Sequence, residues 1–312
     1  MINPKNCHML TLSVIRIIWG HMSQSKEIFN SLSELGAGQD AIAAHYDLGN
    51  GFFELWLDKT MSYTAALWEN PNDDLYTAQI NKLNYALQSV KIGPNQRILD
   101  IGCGWGGMLQ HALTHYQASA AVGITLSKEQ KEWIDHHCPS VTCDLVNWHD
   151  YESAEAFDAI VSVEAIEAFV RPDISSEKRL AIYHKLFEKC HKLLKPGGCL
   201  YLQAICYGNK SPKDLDGFIK QEVFPDSDLP MIGELFTASQ GLFEITDLKN
   251  DRLDYAKTLK EWQRNLRTSK AKILSDYDEA IYTRFRHYLK LSEFMFLNAN
   301  CLLIRATFKR YF

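Results

Sequence analysis

The sequence predicts an α/β fold built on a mostly parallel seven-stranded sheet. Three observations predict it. Short apolar runs alternate with amphipathic stretches from about residue 97 onward, the pattern of strands joined by crossover helices. One run, residues 157–163, is nearly all apolar, as a strand covered on both faces must be. Another run, residues 98–101, leads straight into a cluster of glycines and then an amphipathic stretch, which reads as a strand, a tight turn and a helix.

That glycine turn organises the rest of the chain. The run carries an acid, Asp100, and passes into Gly102, Gly104, Gly106 and Gly107. Glycines at such a turn let the backbone bend sharply and let a ligand come close. The helix that follows offers unpaired N–H groups at its start. The order is Asp-x-Gly-x-Gly-x-Gly, with the acid ahead of the first glycine, rather than the Gly-x-Gly-x-x-Gly of a dinucleotide site. This spacing resembles the pattern of class I S-adenosylmethionine (SAM) methyltransferases, and it implies their Rossmann-like fold.

The elements follow in order. Residues 1–35 read as a helical leader and residues 36–40 as a turn. An aromatic-rich segment, 41–57, precedes a helix at 74–90 whose apolar positions are Leu75, Ala78, Leu83, Ala86, Leu87 and Val90. A turn at 92–95 opens the first strand, and residues 108–116 form the helix after the glycines. Residues 120–125 are a second strand. A helix at 128–138 follows the cap Ser127, with Gln130 placed to complete a capping box. Strands at 141–146 and 157–163 come next, then a helix at 176–194 stopped by Lys195-Pro-Gly-Gly198. Residues 199–205 are the fifth strand. The rhythm breaks at 207–240, which reads as an inserted lid. Strands at 243–248 and 301–308 close the sheet, with residues 254–296 helical between them. The organisation expected is a helical cap over the active site (1–90), a SAM-binding core (91–206), an inserted lid (207–240) and a C-terminal part of the core with substrate-lining helices (241–312).

Composition narrows the function. The chain has 312 residues, a formal charge of −5 and no long basic run, which argues against nucleic acid as the main partner. Eight cysteines are scattered without a C-x-x-C pair. Free thiols in a reducing cytoplasm are the expected reading, and no metal is expected. The apolar stretch at 9–19 is interrupted by Arg16 and is too short to span a bilayer. It reads as an amphipathic helix, packed over the active site or lying on a membrane surface, so the expected location is cytoplasmic with scope for peripheral membrane contact. His111, His115, His136 and His137 are expected on solvated helix faces.

A longer set of motifs resembles the cyclopropane-fatty-acid synthases, including the mycolic acid cyclopropane synthases, across roughly residues 40–310. It comprises His45-Tyr-Asp-Leu with Phe52-Phe53, Met61-Ser-Tyr63, Gly102-Cys-Gly-Trp-Gly106, Thr125-Leu-Ser-Lys-Glu-Gln130 and Ser162-Val-Glu-Ala-Ile-Glu167. Phe224-Pro225, Leu229-Pro230, Tyr255 with Thr258-Leu259 and Trp262, and Tyr288-Leu289 extend it. The resemblance implies SAM as cofactor, with S-adenosylhomocysteine (SAH) as product. It implies that Tyr63 and Thr64 close over the cofactor and that Asp100, Gly102 and Gly104 line the turn. Thr125 and Gln130 would meet the ribose and the end of the cofactor, with Trp148 and His149 near the adenine. His45 and Tyr46 either touch substrate or belong to an aromatic helix packed on the sheet.

In the family so resembled, a bound bicarbonate is held by a cysteine, a glutamate, a histidine, a backbone isoleucine and a tyrosine. The matching positions here read Ala65, Glu167, Gln203, Ile205 and Tyr288. The family's Glu-His pair reads Glu167-Ala168, and a glycine three residues earlier is Glu164. The bicarbonate site therefore reads as broken. Two carboxylates fall three positions apart, on one face if the segment turns helical, and the second would repel bicarbonate. It could accept a proton, stabilise a cation or bind a protonated amine. Glu164 is shared with the plant benzylisoquinoline N-methyltransferases, whose following histidine is absent here. Glu167, Glu164 and Tyr288 are the candidate catalytic residues. Phe52, Phe53, Trp56, Phe218, Phe224, Phe236, Phe294 and Phe296 either pack the core or line a tunnel for an apolar acceptor. The expected function is methyl transfer to an unsaturated carbon of an acyl, lipid or isoprenoid acceptor. The alternatives are N-methylation of a small amine and a SAM- or lipid-binding module without turnover.

Overall fold

The computed structural model describes Gly36 and residues 48–172, 174–209 and 227–311. The expected leader helix, His45, Tyr46, Phe218 and Phe224 lie outside the described residues. Within them the elements are α1 (Asn50–Glu54), α2 (Leu75–Ser89), β1 (Arg97–Ile101), α3 (Gly107–Tyr116), β2 (Ala120–Thr125), α4 (Lys128–His137) and β3 (Thr142–Leu145). Then come β4 (Phe157–Val163), a 3₁₀ turn (Ile166–Ala168), α5 (Ser176–Leu193), β5 (Leu194–Tyr207), α6 (Ile232–Ser239) and β6 (Glu244–Asn250). The described chain finishes with α7 (Arg252–Thr268), α8 (Lys270–Asp276), α9 (Glu279–Leu297) and β7 (Cys301–Lys309).

The seven strands make one sheet in the order β3-β2-β1-β4-β5-β7-β6. Pairs among β1 to β5 are parallel, and β7 runs antiparallel between β5 and β6. The order reverses at β1, so the C-terminal ends of β1 and β4 flank a crevice where an open α/β sheet binds ligands. The α/β sheet expected from the alternation is the one observed.

Local chemistry sets the boundaries. Asp74, Ser175 and Asp278 accept hydrogen bonds from the third residue of α2, α5 and α9 and so start those helices. Residues 195–198 do not simply separate α5 from β5. Phe157 pairs with Leu194 and Ala159 with Cys199, so Lys195-Pro-Gly-Gly198 loops out of the ladder as a bulge. The single helical stretch expected at 254–296 is three helices, broken at Ser269 and again before the Asp278 cap. The capping box expected at α4 is half formed. Ser127 accepts from the Gln130 N–H at 3.2 Å, but the Ser127 N–H goes to Thr125 Oγ1, freeing the Gln130 side chain for Thr125.

Two buried clusters flank the sheet. One, built from α2, α3, α4 and the inner strands, includes Leu83, Leu87, Leu109 and Ile134. The other is aromatic, with Phe52, Phe53, Trp56, Trp262, Phe285, Tyr288 and Phe296 all buried. Of the aromatics with two open readings, Phe294 is neither core nor fully sheltered: it is 57% exposed. His111 also departs from expectation. It is buried against Asn84 Oδ1 at 2.8 Å, and burial lowers its pKa to about 4. The seven described cysteines are free and buried. No described helix is long and apolar enough to cross a membrane.

Candidate active site

The glycine turn is held open by its neighbours. The Gly102 and Cys103 N–H groups both donate to Ile124 O, at 3.0 and 3.1 Å, which pins the start of the turn to β2. Gly102, Gly104 and Gly106 all have positive φ, the conformation glycine tolerates best. A Cβ on Gly102 would stand 2.4 Å from Ala165 Cβ, whereas one on Gly104 would meet nothing within 4 Å. The free space therefore lies over Gly104. Beside it, Asp100 is buried and its Oδ1 has no hydrogen-bond partner among the described residues. Burial raises its pKa to about 7, against the pull of Lys82. An open cradle next to an orphaned acceptor fits a ligand that brings a donor of its own, as SAM does.

The other residues expected around SAM ring the same strand ends. Thr125 and Gln130 are buried and joined to each other, Oγ1 to Oε1 at 2.8 Å. Trp148 lies after β3, 7% exposed, with its ring 5.4 Å from that of Phe169. His149 pairs with Asp150 at 2.8 Å. Tyr63 joins the aromatic cluster, 5.2 Å from Trp56 and 5.4 Å from Trp262. The segment that carries Tyr63 and Thr64 lies on the glycine turn, since a Cβ on Gly107 would come 2.5 Å from Thr60 O.

Two glutamates meet at the ends of β4 and β5, and their environments differ. Glu164 Oε1 accepts from the Ala65 N–H at 2.9 Å and from Gln203 Nε2 at 2.7 Å, while Oε2 accepts from the Tyr255 hydroxyl at 2.7 Å. Its backbone sits at φ +53°, a left-handed conformation that disfavours any residue with a side chain. Glu167 lies in the 3₁₀ turn. Its Oε1 accepts from the Ile205 N–H at 2.5 Å, and its Oε2 is buried with no partner among the described residues. Burial raises both carboxyls. Glu164 is pulled back by its three donors and Lys82, whereas Glu167, facing the charge of Glu164 as well, is pushed up to about 8. The hydrogen bonds thus favour the charged form at Glu164, while burial and the neighbouring carboxylate favour the protonated form at Glu167.

Gln203 is the junction of this network. Its Nε2 donates to Glu164 and, at 3.2 Å, to Ala65 O. Its Oε1 accepts from Arg305 Nε at 2.9 Å and from the Tyr201 hydroxyl at 3.2 Å. Those two donors fix which end of the amide faces Glu164. Tyr288 is buried in the aromatic cluster, its ring 6.2 Å from that of Phe285. Its hydroxyl, Tyr63 and Glu164 all add to the burial that drives the Tyr255 phenol above its ordinary pKa. Ala168 closes the 3₁₀ turn, with Gly36 packed against its carbonyl.

Three residues that the sequence reading did not select as site residues turn out to be structural parts of the site. Arg305 is wholly buried and also bonds Ala66 O and Asp251. Tyr255 anchors Glu164. Lys82 is 2% exposed and donates to Thr64 Oγ1 at 3.0 Å. A signal for Lys82 was present: Gln79 and Lys82 fall inside the apolar stripe of α2, where a polar residue must have a buried partner. A fourth element, Arg179, clamps Asp228 and Glu234, and the Asp228 N–H donates to Glu167 O at 3.0 Å.

Comparison with known proteins gives a consistent result. Residues 35–305 match the protein family described as mycolic acid cyclopropane synthetase. The chain is 31% identical over 284 residues to the S-adenosylmethionine-dependent methyltransferase UmaA of Mycobacterium tuberculosis, covering 85% of this chain and 95% of that one. It is 32% identical over 268 residues to the cyclopropane-fatty-acyl-phospholipid synthase of Escherichia coli, covering 85% of this chain and 66% of the longer enzyme. Among solved structures, the mycolic acid cyclopropane synthase CmaA1 complexed with SAH and CTAB matches with a TM-score of 0.79 at 30% identity, over 89% of this chain and all of that one.

Proposed function

We propose a function from one premise: the chain belongs to the mycolic acid cyclopropane synthetase family and is a SAM-dependent methyltransferase. Its reaction is transfer of the SAM methyl to an unsaturated carbon of a hydrophobic acyl, lipid or isoprenoid chain, without a bicarbonate ion and without ring closure. The observation that carries this is the seat of Glu164. Its carboxylate takes the Ala65 N–H and the Gln203 side-chain N–H, at two positions where the family resemblance places ligands of the ion. Glu167 takes the Ile205 N–H, a third. The protein's own carboxylate thus stands in for the anion.

Bound SAM supplies a methyl group on an electrophilic sulfonium. Asp100 and the Gly104 cradle hold it at the end of β1, with Trp148 offering a stacking face to the adenine. The buried aromatic cluster around Tyr63, Trp262 and Tyr288 excludes water and lies against the apolar acceptor. When the alkene carbon takes the methyl, positive charge forms on the neighbouring carbon. Glu164 is the fixed anion that faces it, placed before the reaction by three hydrogen bonds. The cation then loses a proton from the acceptor chain to the Glu164 carboxylate, leaving an alkene, and the new methyl keeps its three hydrogens. The expected location is the cytoplasm, with the acceptor drawn from lipid.

The test uses SAM carrying a fully deuterated methyl, the purified protein and a crude lipid and small-molecule extract of the source organism. High-resolution mass spectrometry with fragmentation then locates the label. Products with three deuterons on a chain carbon are expected. Products keeping two would mean ring closure, and label on nitrogen would mean an amine acceptor; either overturns the proposal.

A further inference from the structure

Lys82 is the buried cation that the proposed reaction leaves without a task. It projects from α2 beneath the segment that lies over the glycine turn. Its Nζ is 3.0 Å from Thr64 Oγ1 and 3.4 Å from Ser62 Oγ. One turn earlier on the same helix, Gln79 donates to Thr64 O at 2.8 Å and Ser62 O at 3.4 Å. The Thr60 hydroxyl and backbone N–H both donate to Asp58, so the Ser62 hydroxyl, 2.8 Å away, donates to Thr60 Oγ1. The backbone of the segment is therefore held by Gln79 and Asp58, whereas Lys82 reaches its side-chain hydroxyls.

Of the two hydroxyls that Lys82 meets, Thr64 is the nearer. An ammonium can only donate, so Thr64 Oγ1 accepts from it. The Thr64 hydroxyl makes no other hydrogen bond among the described residues, and Thr64 is only half-buried. Its proton is thus turned away from Lys82 with no acceptor among the described residues, towards the open side of the segment. A hydroxyl that accepts from a cation is a stronger donor for it.

Strand order says which part of a ligand arrives there. Trp148 follows β3, Thr125 ends β2, and the glycine turn ends β1. Thr64 sits next to Ala65, whose N–H bonds Glu164 at the end of β4. A cofactor laid across these ends with its adenine at Trp148 brings its amino-acid end to the β1–β4 side. That end carries a carboxylate, which needs donors.

We propose that Lys82 is a positioning residue for the carboxylate of the cofactor: it turns and polarises the Thr64 hydroxyl so that this hydroxyl donates to the amino-acid end of SAM. The inference rests on the assignment of SAM to this crevice. The charges that face Lys82 suit the task. Burial, aided by Arg305, lowers its pKa, Glu164, Asp58 and Asp100 oppose that, and the result is about 8, so the side chain remains a cation at neutral pH.

The test is direct binding, by calorimetry on the full chain, of SAH and of 5′-methylthioadenosine, which lacks the amino-acid portion. Lys82→Met is expected to weaken SAH at least 10-fold and leave 5′-methylthioadenosine within about twofold. Thr64→Val, which keeps Lys82, is expected to give the same pattern, and the double variant to be no weaker than the worse single one. Equal losses for both ligands, unchanged SAH binding in either folded variant, or additive losses in the double variant would overturn the role of Lys82. If Lys82→Met does not fold, Thr64→Val alone decides. Failure of the unaltered chain to bind SAH would instead overturn the assignment of SAM to the crevice.

Discussion

The Tyr255 hydroxyl donates to Glu164 Oε2 at 2.7 Å, across 91 residues of sequence. Of the three donors named above, it is the one that comes from the C-terminal helices. A charged hydrogen bond of this kind contributes roughly 1.5–3 kcal/mol, or about 10- to 100-fold in rate if it acts on the transition state. Tyr255→Phe keeps the ring within its aromatic cluster, so turnover is expected to fall by about that factor while SAH affinity stays within about twofold. Steady-state kinetics beside SAH calorimetry checks it.

Glu164→Gly removes the built-in carboxylate and restores the residue that φ +53° favours. The Ala65 N–H, the Gln203 amide and the Tyr255 hydroxyl then face an empty anion seat. Activity is expected to drop by at least about 100-fold. Millimolar bicarbonate or formate is expected to recover part of it in the variant while leaving the unaltered enzyme unchanged. A variant that ignores both anions shows that Glu164 is not an anion substitute.

Glu167 makes stability depend on pH. Its carboxyl ionises at about 8 in the fold, against an ordinary 4.5. Between those values the folded chain holds a proton that the unfolded chain has released. Its contribution is therefore fully present below about 4.5 and is lost as pH rises through about 8. Gln at this position cannot titrate. The melting temperature of Glu167→Gln minus that of the unaltered protein is expected to increase by a few degrees from about pH 5 to about pH 8. Thermal melts in matched ionic strength measure it.

The same proton reports on the cofactor. A sulfonium cation near Glu167 favours its ionised form, whereas the thioether of SAH is neutral. Binding of SAM at about pH 7.5 is expected to release more protons than binding of SAH. Calorimetry in buffers of different ionisation enthalpy gives the two numbers, and Glu167→Gln should abolish their difference.

Much of this was legible in sequence because it is local. Asp100 and the glycines after it define strand, turn and helix within 17 residues, Asp100 to Tyr116. The alternation of β1 to β5 fixes the parallel half of the sheet. Glu164 was visible as a departure from the family pattern. Its partners were not. Gln203 meets Arg305 across 102 positions and Ala65 meets Glu164 across 99, and no periodicity encodes which buried polar groups will pair. His111 was misjudged for a related reason. It looked like one more polar residue on a helix, and only the approach of α2, bringing Asn84, makes it a buried one. The break of the long helix at Ser269 follows from packing, since its hydroxyl donates to Leu55 O at 2.6 Å.

The antiparallel insertion of β7 between β5 and β6 has a consequence for how the enzyme comes into being. A ribosome releases β1 to β5 and the glycine turn long before it releases residues 301–309. Parallel strands and their crossover helices can gather in that interval, so a nucleoside crevice can exist on the nascent chain. Ala65, Gln203 and Tyr255, the three donors to Glu164, are made before then, but the Arg305 donor to the Gln203 amide arrives only with β7. Full anchoring of the Gln203–Glu164 network is thus timed to the last strand.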